Sequence, residues 1–259
     1  MRAKIELSPC DLVDGRYRIL RVLGSGGAGA VYAATDESDG AATVAIKVLG
    51  SGDDLDEEQR SGLELEFSLL ARLGHPNIVS ALGIGVAERG QTYLVEELVE
   101  GPTLEAVRQT IEPADYFWIA HGILEGLAHV HRRGWVHHDI KPANILVAGS
   151  GDGPPSTWTP KLADLGVASL RGSDPEGRVS GTVPFLSPER LVGQLADPRS
   201  DVWALGMTLL YCVSGTLPVD VDSVRAAARI LSHGRVPALR DLRSDAPAEL
   251  EVVIGRMLA

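Results

Sequence analysis

The sequence predicts an α+β fold in two parts, a small antiparallel-β part followed by a larger and mainly helical one. Two observations carry this expectation. Up to Leu98, short apolar runs with a period of two are separated by glycine-rich or polar turns, whereas beyond Gly101-Pro102 apolar residues recur three and four apart.

Each element follows in order. Tyr17, Ile19, Arg21 and Leu23 alternate with Arg18, Leu20 and Val22, and after a run of glycines Val31-Tyr32-Ala33 and Val44-Ala45-Ile46 resume the pattern. Three antiparallel strands are predicted between Tyr17 and Val48. Gly50 to Asp54 is a polar turn, after which Leu63, Phe67, Leu70 and Leu73 share one face of a helix predicted over Leu55 to Leu73. Ile78 to Val86 and Thr92 to Leu98 read as two more strands. Asp115 to Arg132 is the clearest helix, with Ile119, Ile123, Leu124, Leu127 and Val130 in one apolar stripe. Ala148 to Pro160, rich in Gly, Pro, Ser and Thr, reads as a turn-forming surface hairpin between two apolar runs.

The bulk properties narrow the function classes. With 259 residues, 44% of them hydrophobic and 23% charged, the chain suits one large globular domain or two small lobes. A net charge of -11, from 24 basic and 35 acidic residues, argues against nucleic acid and toward neutral or cationic partners. Cys10 and Cys212 are far apart and form no CxxC pattern, which fits a reducing cytosol. Met1 to Leu12 lacks the apolar core of a signal peptide, and no run approaches the length of a membrane span.

Chemistry concentrates at His137-His138-Asp139-Ile140-Lys141-Pro142-Ala143-Asn144, followed by Asp164-Leu165-Gly166. The stretch gathers a base, a cation and two metal ligands, as phosphoryl transfer requires. Asp139 can orient a hydroxyl and accept its proton, and Lys141 can offset charge on the phosphoryl group. Asn144 and Asp164 are hard oxygen donors suited to magnesium. Each residue alone is an ordinary cap or turn former; their joint spacing speaks against that reading. Upstream, Gly24-Ser25-Gly26-Gly27-Ala28-Gly29-Ala30-Val31 fits GxGxxGxV between two strands, where missing Cβ atoms let the backbone approach a phosphate. A strand rather than a helix follows, which disfavours dinucleotide binding. Val44-Ala45-Ile46-Lys47 ends an apolar strand on an ammonium that needs an anion, either phosphate or a carboxylate.

Together with Gly181-Thr182-Val183-Pro184-Phe185-Leu186-Ser187-Pro188-Glu189 and Asp201-Val202-Trp203-Ala204-Leu205-Gly206, these segments resemble the eukaryotic-type serine/threonine protein kinases, with the bacterial branch closest. The resemblance runs from about Tyr17 to the end. It implies a protein-kinase-like two-lobe fold: an extension over 1–16, an N-lobe over 17–100 with one regulatory helix, and a mainly α C-lobe over 101–259. The implied activity is transfer of the γ-phosphoryl group of ATP to Ser or Thr hydroxyls of proteins, with Mg2+ as cofactor and Mn2+ as the alternative. Implied roles are Asp139 as base, Lys141 at the phosphoryl group, Thr182 bonded to the catalytic loop, and Lys47 paired with Glu66. Glu64 competes for that last role and a solvated helix position is the bland alternative, but Phe67 and Leu70 put Glu66 near the buried face. Asn144 and Asp164 would hold the metal. Gly24, Ser25, Gly26, Gly27, Ala28 and Gly29 would form the phosphate loop; Val31, Ala45 and Leu146 would enclose the adenine, and the backbones of Glu97 and Val99 would read its edge. A stacked apolar spine would use Leu70, Leu82, His137 and Leu165. Self-association for autophosphorylation is a family expectation. The implied location is cytoplasmic, alone or as the cytoplasmic domain of a longer, membrane-anchored protein.

The chain also departs from the pattern. His138 stands where most members carry arginine, Leu165 where many carry phenylalanine, and Ser187-Pro188-Glu189 where the usual triplet starts with alanine. A mostly neutral histidine pairs weakly with a phosphorylated loop, so activity is expected not to require phosphorylation of Ser173 or Ser180. Glu96 occupies the usually apolar position behind the adenine, where it competes with Glu66 for Lys47, donates from a protonated carboxyl, or turns to a polar neighbour. Thr103, Ala143 and Tyr211 stand where basic-directed kinases carry acids, which leaves at most a loose basic preference. The end at Ala259 falls inside what resembles the penultimate helix, so the last helix and the arginine expected opposite Glu189 are missing; a longer protein is implied, with Arg190 as the substitute partner otherwise. His129, His131, His137 and His138 show no HExxH spacing and are read as packing and spine residues. The competing functions are a pseudokinase scaffold and a small-molecule kinase, the second disfavoured by the Thr182 to Glu189 segment.

Overall fold

The computed structural model describes residues 7–26, 29–48, 67, 71, 73–87, 90–149, 153–164, 169–170, 182–217, 223–233 and 236–259. They fall into two compact units, Met1–Gly74 with Val79–Val99, and His75–Ile78 with Glu100–Ala259.

The first unit is a six-stranded antiparallel sheet, built from β1 (Leu12–Val13), β2 (Tyr17–Gly26), β3 (Gly29–Asp36), β4 (Ala42–Val48), β5 (Ala81–Val86) and β6 (Thr92–Glu97) in the order β1-β2-β3-β4-β6-β5. Alternation sorts its side chains. Tyr32, Ala34, Val44, Ile46, Val48, Tyr93 and Val95 form one apolar cluster with Val13, Tyr17 and Ile19. The strict alternation expected along β2 breaks between Ile19 and Arg21 and between Val22 and Gly24, where register shifts each insert a residue. Leu20, Val22 and Leu23 therefore remain exposed. The β3–β4 turn is fastened by Asp36, which accepts from Arg16 Nε and Nη2 at 2.8 and 2.6 Å and from Ser38 Oγ at 2.8 Å. The hydrogen bonds from Arg16, aided by Ser38, outweigh desolvation and hold the Asp36 carboxyl well below the usual carboxylate range.

The helix expected over Leu55 to Leu73 lies almost wholly outside the described residues, and Glu66, Glu64 and Leu70 with it. Within that stretch Ala71 N donates to Phe67 O at 2.8 Å, one helical turn apart.

The second unit is mainly helical. Its helices are α1 (Leu104–Val107), α2 (Tyr116–Arg132), α3 (Pro188–Leu191), α4 (Pro198–Ser214), α5 (Val224–His233), α6 (Leu239–Leu242) and α7 (Ala248–Met257), with hairpin strands β8 (Ile145–Ala148) and β9 (Thr159–Leu162) and the short pair β7 (Trp135–Val136) and β10 (Ser169–Leu170). The α2 stripe of Ile119, Ile123 and Leu127 packs with Leu205, Leu209 and Leu210 of α4 and with Leu250 and Ile254 of α7. Buried residues on every side of α4 make it the central helix. It starts at a reciprocal cap, where Asp197 Oδ1 accepts from Arg199 N at 2.7 Å and Ser200 Oγ accepts from Asp197 N at 3.3 Å.

The strand expected from Ile78 begins only at Ala81. Residues 75–78 pack with the second unit instead: Asn77 Nδ2 donates to Pro160 O at 2.8 Å, and Leu162 N donates to Asn77 O at 2.9 Å. Ile78 is committed to Leu162 and leaves the first sheet.

Candidate active site

In the second unit, α2, β7 and α4 converge on residues 137–144. Asp201, at the start of α4 and only 1% exposed, accepts from His137 N at 2.8 Å, His138 N at 2.9 Å and His131 Nε2 at 2.7 Å. Three donors on one buried carboxylate pin the two residues before Asp139. They also hold His138 at φ 72°, a left-handed conformation unusual for a residue with a Cβ. Burial alone would push the Asp201 carboxyl up; the His131 hydrogen bond and the His137 backbone N–H outweigh it and hold it below the ordinary range. The sequence marks His131 only as a packing residue; its second function as a donor to Asp201 depends on a contact 70 residues away, which no local pattern announces.

His137 is fully buried and its tautomer is determined by its partners. Nε2 donates to Ala163 O at 3.2 Å, while Nδ1 accepts from Asp139 N at 3.4 Å. These two contacts place a proton on Nε2 and leave Nδ1 facing the Asp139 N–H.

Three residues are brought together around Asp139. Its Oδ2 accepts from Lys141 Nζ at 2.6 Å and Asn144 Nδ2 at 3.0 Å; its Oδ1 accepts from Thr182 N at 3.1 Å and Thr182 Oγ1 at 3.0 Å. Lys141 Nζ also donates to Thr182 Oγ1 at 2.9 Å, so the hydroxyl links the cation to the carboxylate. Burial pushes the Asp139 carboxyl up, but the Lys141 ammonium and the donors of Thr182 and Asn144 prevail, leaving it below its ordinary value.

The donor set suits a hard cation beside Asp139. Asn144 Nδ2 gives its protons to Asp139 O at 2.8 Å and to Oδ2, which fixes the amide orientation and leaves Oδ1 as its remaining acceptor. Ala163 N donates to Asn144 O at 2.9 Å, placing the next residue, Asp164, alongside; Asp164 is held at φ 64°. Leu146, on β8, is half-buried. Leu165, Gly166, Ser173, Ser180 and Gly181 lie outside the described residues.

In the first unit, the face of the sheet opposite its apolar cluster carries the other candidates. Register sets Val31 beside Lys47 and Lys47 beside Leu94, and in the next row Ala33 beside Ala45 and Ala45 beside Glu96. Lys47 and Glu96 are thus diagonal neighbours on one face, roughly 7–8 Å apart at the backbone. Gly24, Ser25, Gly26 and Gly29 form the end of the β2–β3 hairpin, with Gly27 and Ala28 outside the described residues. At Gly24 an added Cβ would meet only open space and φ is not left-handed, so neither the backbone nor packing demands glycine. An open backbone at the tip of a hairpin is what a phosphate needs. Glu97 accepts from Ser80 N at 2.9 Å through Oε1 and donates its own N–H to Ser80 O at 2.9 Å, and Val99 follows half-buried. The spine expected at Leu82 is not enclosed: at the β5 irregularity that side chain is 56% exposed.

Glu189 has a nearer partner than the arginine expected for it, since Ser200 Oγ donates to its Oε1 at 2.6 Å. Among the described residues no group of three or more His, Cys, Asp or Glu is arranged to hold a metal by itself. No helix among them is long and apolar enough to cross a membrane.

Known proteins share both the sequence and this architecture. PknB of Lactococcus lactis is 34% identical over 94% of this chain and 39% of its own length, and the serine/threonine-protein kinase PrkC of Bacillus subtilis is 34% identical over 95% and 38%. The chain thus spans well under half the length of these relatives. The crystal structure of the PknI kinase domain of Mycobacterium tuberculosis superposes with a TM-score of 0.73 at 25% identity, covering 98% of this chain and 92% of that one. The family model described as protein kinase domain matches residues 17–250. Use of ATP and a divalent metal follows from that family. With the match spanning nearly the whole sequence and the relatives bacterial, the chain belongs to the protein kinase family, among its bacterial serine/threonine members.

Proposed function

We propose that the chain is the catalytic domain of a serine/threonine protein kinase that transfers the γ-phosphoryl group of Mg-ATP to Ser or Thr hydroxyls of proteins. The observation that supports this most is the single hydrogen-bonded set of Asp139, Lys141, Asn144 and Thr182. Both oxygens of Asp139 already hold two donors each, so an incoming hydroxyl must displace one. Lys141 is the donor with an alternative, because a phosphoryl group offers its ammonium more negative charge. As Lys141 turns to the γ-phosphoryl group, Oδ2 opens to accept the substrate O–H, while Thr182 and Asn144 keep the carboxylate oriented.

A carboxylate held below its ordinary pKa is a weak base, so its contribution is mainly to aim the hydroxyl oxygen at phosphorus; the proton passes to Asp139 Oδ2 as the new P–O bond forms and the bond from the γ-phosphorus to the β–γ bridging oxygen breaks, releasing ADP. Asn144 and Asp164 would hold the metal, magnesium in preference to manganese, which would supply positive charge against the nucleotide phosphates. Lys47, with Glu66 as its carboxylate partner, is assigned to the nucleotide phosphates, together with the backbone from Gly24 to Gly29. Val31, Ala45 and Leu146, with the backbone groups of Glu97 and Val99, are assigned to the adenine. We further assign the chain to the cytoplasm, alone or as the cytoplasmic domain of a longer, membrane-anchored protein, with self-association for autophosphorylation.

The test is transfer of label from γ-labelled ATP to a generic protein substrate with magnesium, comparing the native chain with Asp139→Asn and Asp164→Ala. Strong labelling by the native chain alone supports the reading. Equal labelling by all three removes it.

A further inference from the structure

A second cluster of charged and aromatic groups lies beside the catalytic loop in the same unit. Glu105 on α1 accepts through Oε1 from Arg108 Nε at 3.1 Å and from the Tyr211 hydroxyl, on α4, also at 3.1 Å. The Arg108 guanidinium lies 4.4 Å from the centre of the Tyr211 ring, and the Phe185 ring meets Tyr211 edge-on at 6.2 Å. Phe185 is three residues beyond Thr182, which is bonded to Asp139. One turn before Tyr211, Thr208 Oγ1 approaches Ile140 O at 3.5 Å, and Thr103, the cap of α1, bridges Leu146 just after Asn144. The cluster is therefore continuous with the walls of the site on two sides.

Its polarity is directional. The Arg108 side chain is 13% exposed and faces inward, beneath the Tyr211 ring, whereas the Glu105 side chain is 42% exposed. With Oε1 engaged by two donors, Oε2 has no partner among the described residues. Buried positive and exposed negative ends give a carboxylate that is fixed in place yet available from solvent. Rigid, pre-oriented acceptors of this kind favour a charged donor over a neutral one.

We propose that Glu105, held by Arg108 and Tyr211, is a specificity-determining residue that selects protein substrates carrying an arginine or lysine close to the acceptor hydroxyl. This rests on the protein kinase reading above and names the substrate class for the same site. The positions at which acids were sought in the sequence, Thr103, Ala143 and Tyr211, carry none. Tyr211 contributes instead by orienting a carboxylate supplied from α1. A partly exposed charge pair is screened, so the expected preference is modest, about three- to ten-fold in kcat/KM.

The experiment compares peptides with one Ser acceptor and a lysine, the neutral glutamine or a glutamate, scanned through the positions on either side. The native chain should prefer lysine by about three- to ten-fold at one or two positions. Glu105→Gln should bring that ratio to about one while leaving turnover of the neutral peptide and the melting temperature nearly unchanged, and Glu105→Lys should reverse it in favour of glutamate. Tyr211→Phe should weaken the preference part-way, since the carboxylate then keeps only Arg108. A native chain without a lysine preference, or a preference that persists in an active Glu105→Gln, overturns the proposal alone. A native chain that phosphorylates no peptide or protein overturns the kinase reading and this inference together.

Discussion

Thr182→Val removes a hydroxyl and keeps the shape, and so isolates the link between Lys141 and Asp139. Thr182 Oγ1 accepts from Lys141 Nζ at 2.9 Å and donates to Asp139 Oδ1 at 3.0 Å; the backbone bond from Thr182 N, at 3.1 Å, survives the substitution. Each lost bond involves an ionised partner and is worth roughly 1.5–3 kcal/mol. The site is half-buried, so water recovers about one of the two, leaving a loss of about 1.5–3 kcal/mol. At about 1.4 kcal/mol per factor of ten, kcat should fall roughly 10- to 100-fold. KM for ATP should change less than kcat, because only the bond from Lys141 involves a group directed at the nucleotide, and Lys141 gives up its Asp139 contact when it turns to the γ-phosphoryl group. The assay is steady-state transfer to a protein substrate at varied ATP, beside Thr182→Ser, which keeps the hydroxyl and should retain most of the rate. Activity within two-fold of native in Thr182→Val, or equal impairment in Thr182→Ser, would refute the reasoning.

Three other outcomes follow from the same geometry. Gly101→Ala sets a Cβ 2.1 Å from Val147 O, and the backbone on both sides must give way; stability should fall by about 1–3 kcal/mol, read as a lower urea midpoint. Asp201→Asn replaces an acceptor of three hydrogen bonds with an amide that can satisfy only part of them, and should cost roughly 3–5 kcal/mol. Because the folded Asp201 pKa is depressed, its stabilisation is present above the unfolded value of about 3.9 and is lost as pH falls through the folded one; urea midpoints of Asp201→Asn should flatten in that acid window, and parallel slopes would contradict the assignment. Glu96→Met removes a carboxylate from the face that carries Lys47 and should change ATP affinity in a nucleotide-binding titration, an unchanged affinity counting against a nucleotide-side position for Glu96.

Much of this protein is legible in its sequence because local rules set it. The strands over Tyr17 to Val48 and helix α2 follow from periods of two and 3.6, and the gathering of Asp139, Lys141 and Asn144 follows from their close spacing. What the sequence leaves open depends on contacts distant along the chain. The attachment of residues 75–78 to β9 turns on Asn77 finding Pro160 and Leu162. The bulges in β2 depend on its partner strand, and the exposure of Leu82 on the irregular β5–β6 pairing. His131 looked like packing because its acceptor lies on α4. Glu105 is not marked by local pattern because its place beside the site depends on Tyr211, 106 residues away on α4.

The central claim is that Asp139, aimed by Lys141, Asn144 and Thr182, directs a Ser or Thr hydroxyl of a protein onto the γ-phosphorus of ATP. The most direct measurement is phosphoamino-acid analysis of a protein substrate after reaction with γ-labelled ATP, for the native chain and for Asp139→Asn. Label should appear on serine or threonine and fall at least about a hundred-fold in Asp139→Asn while ATP binding is retained. Label of equal amount from both proteins, or label absent from serine and threonine, would contradict it.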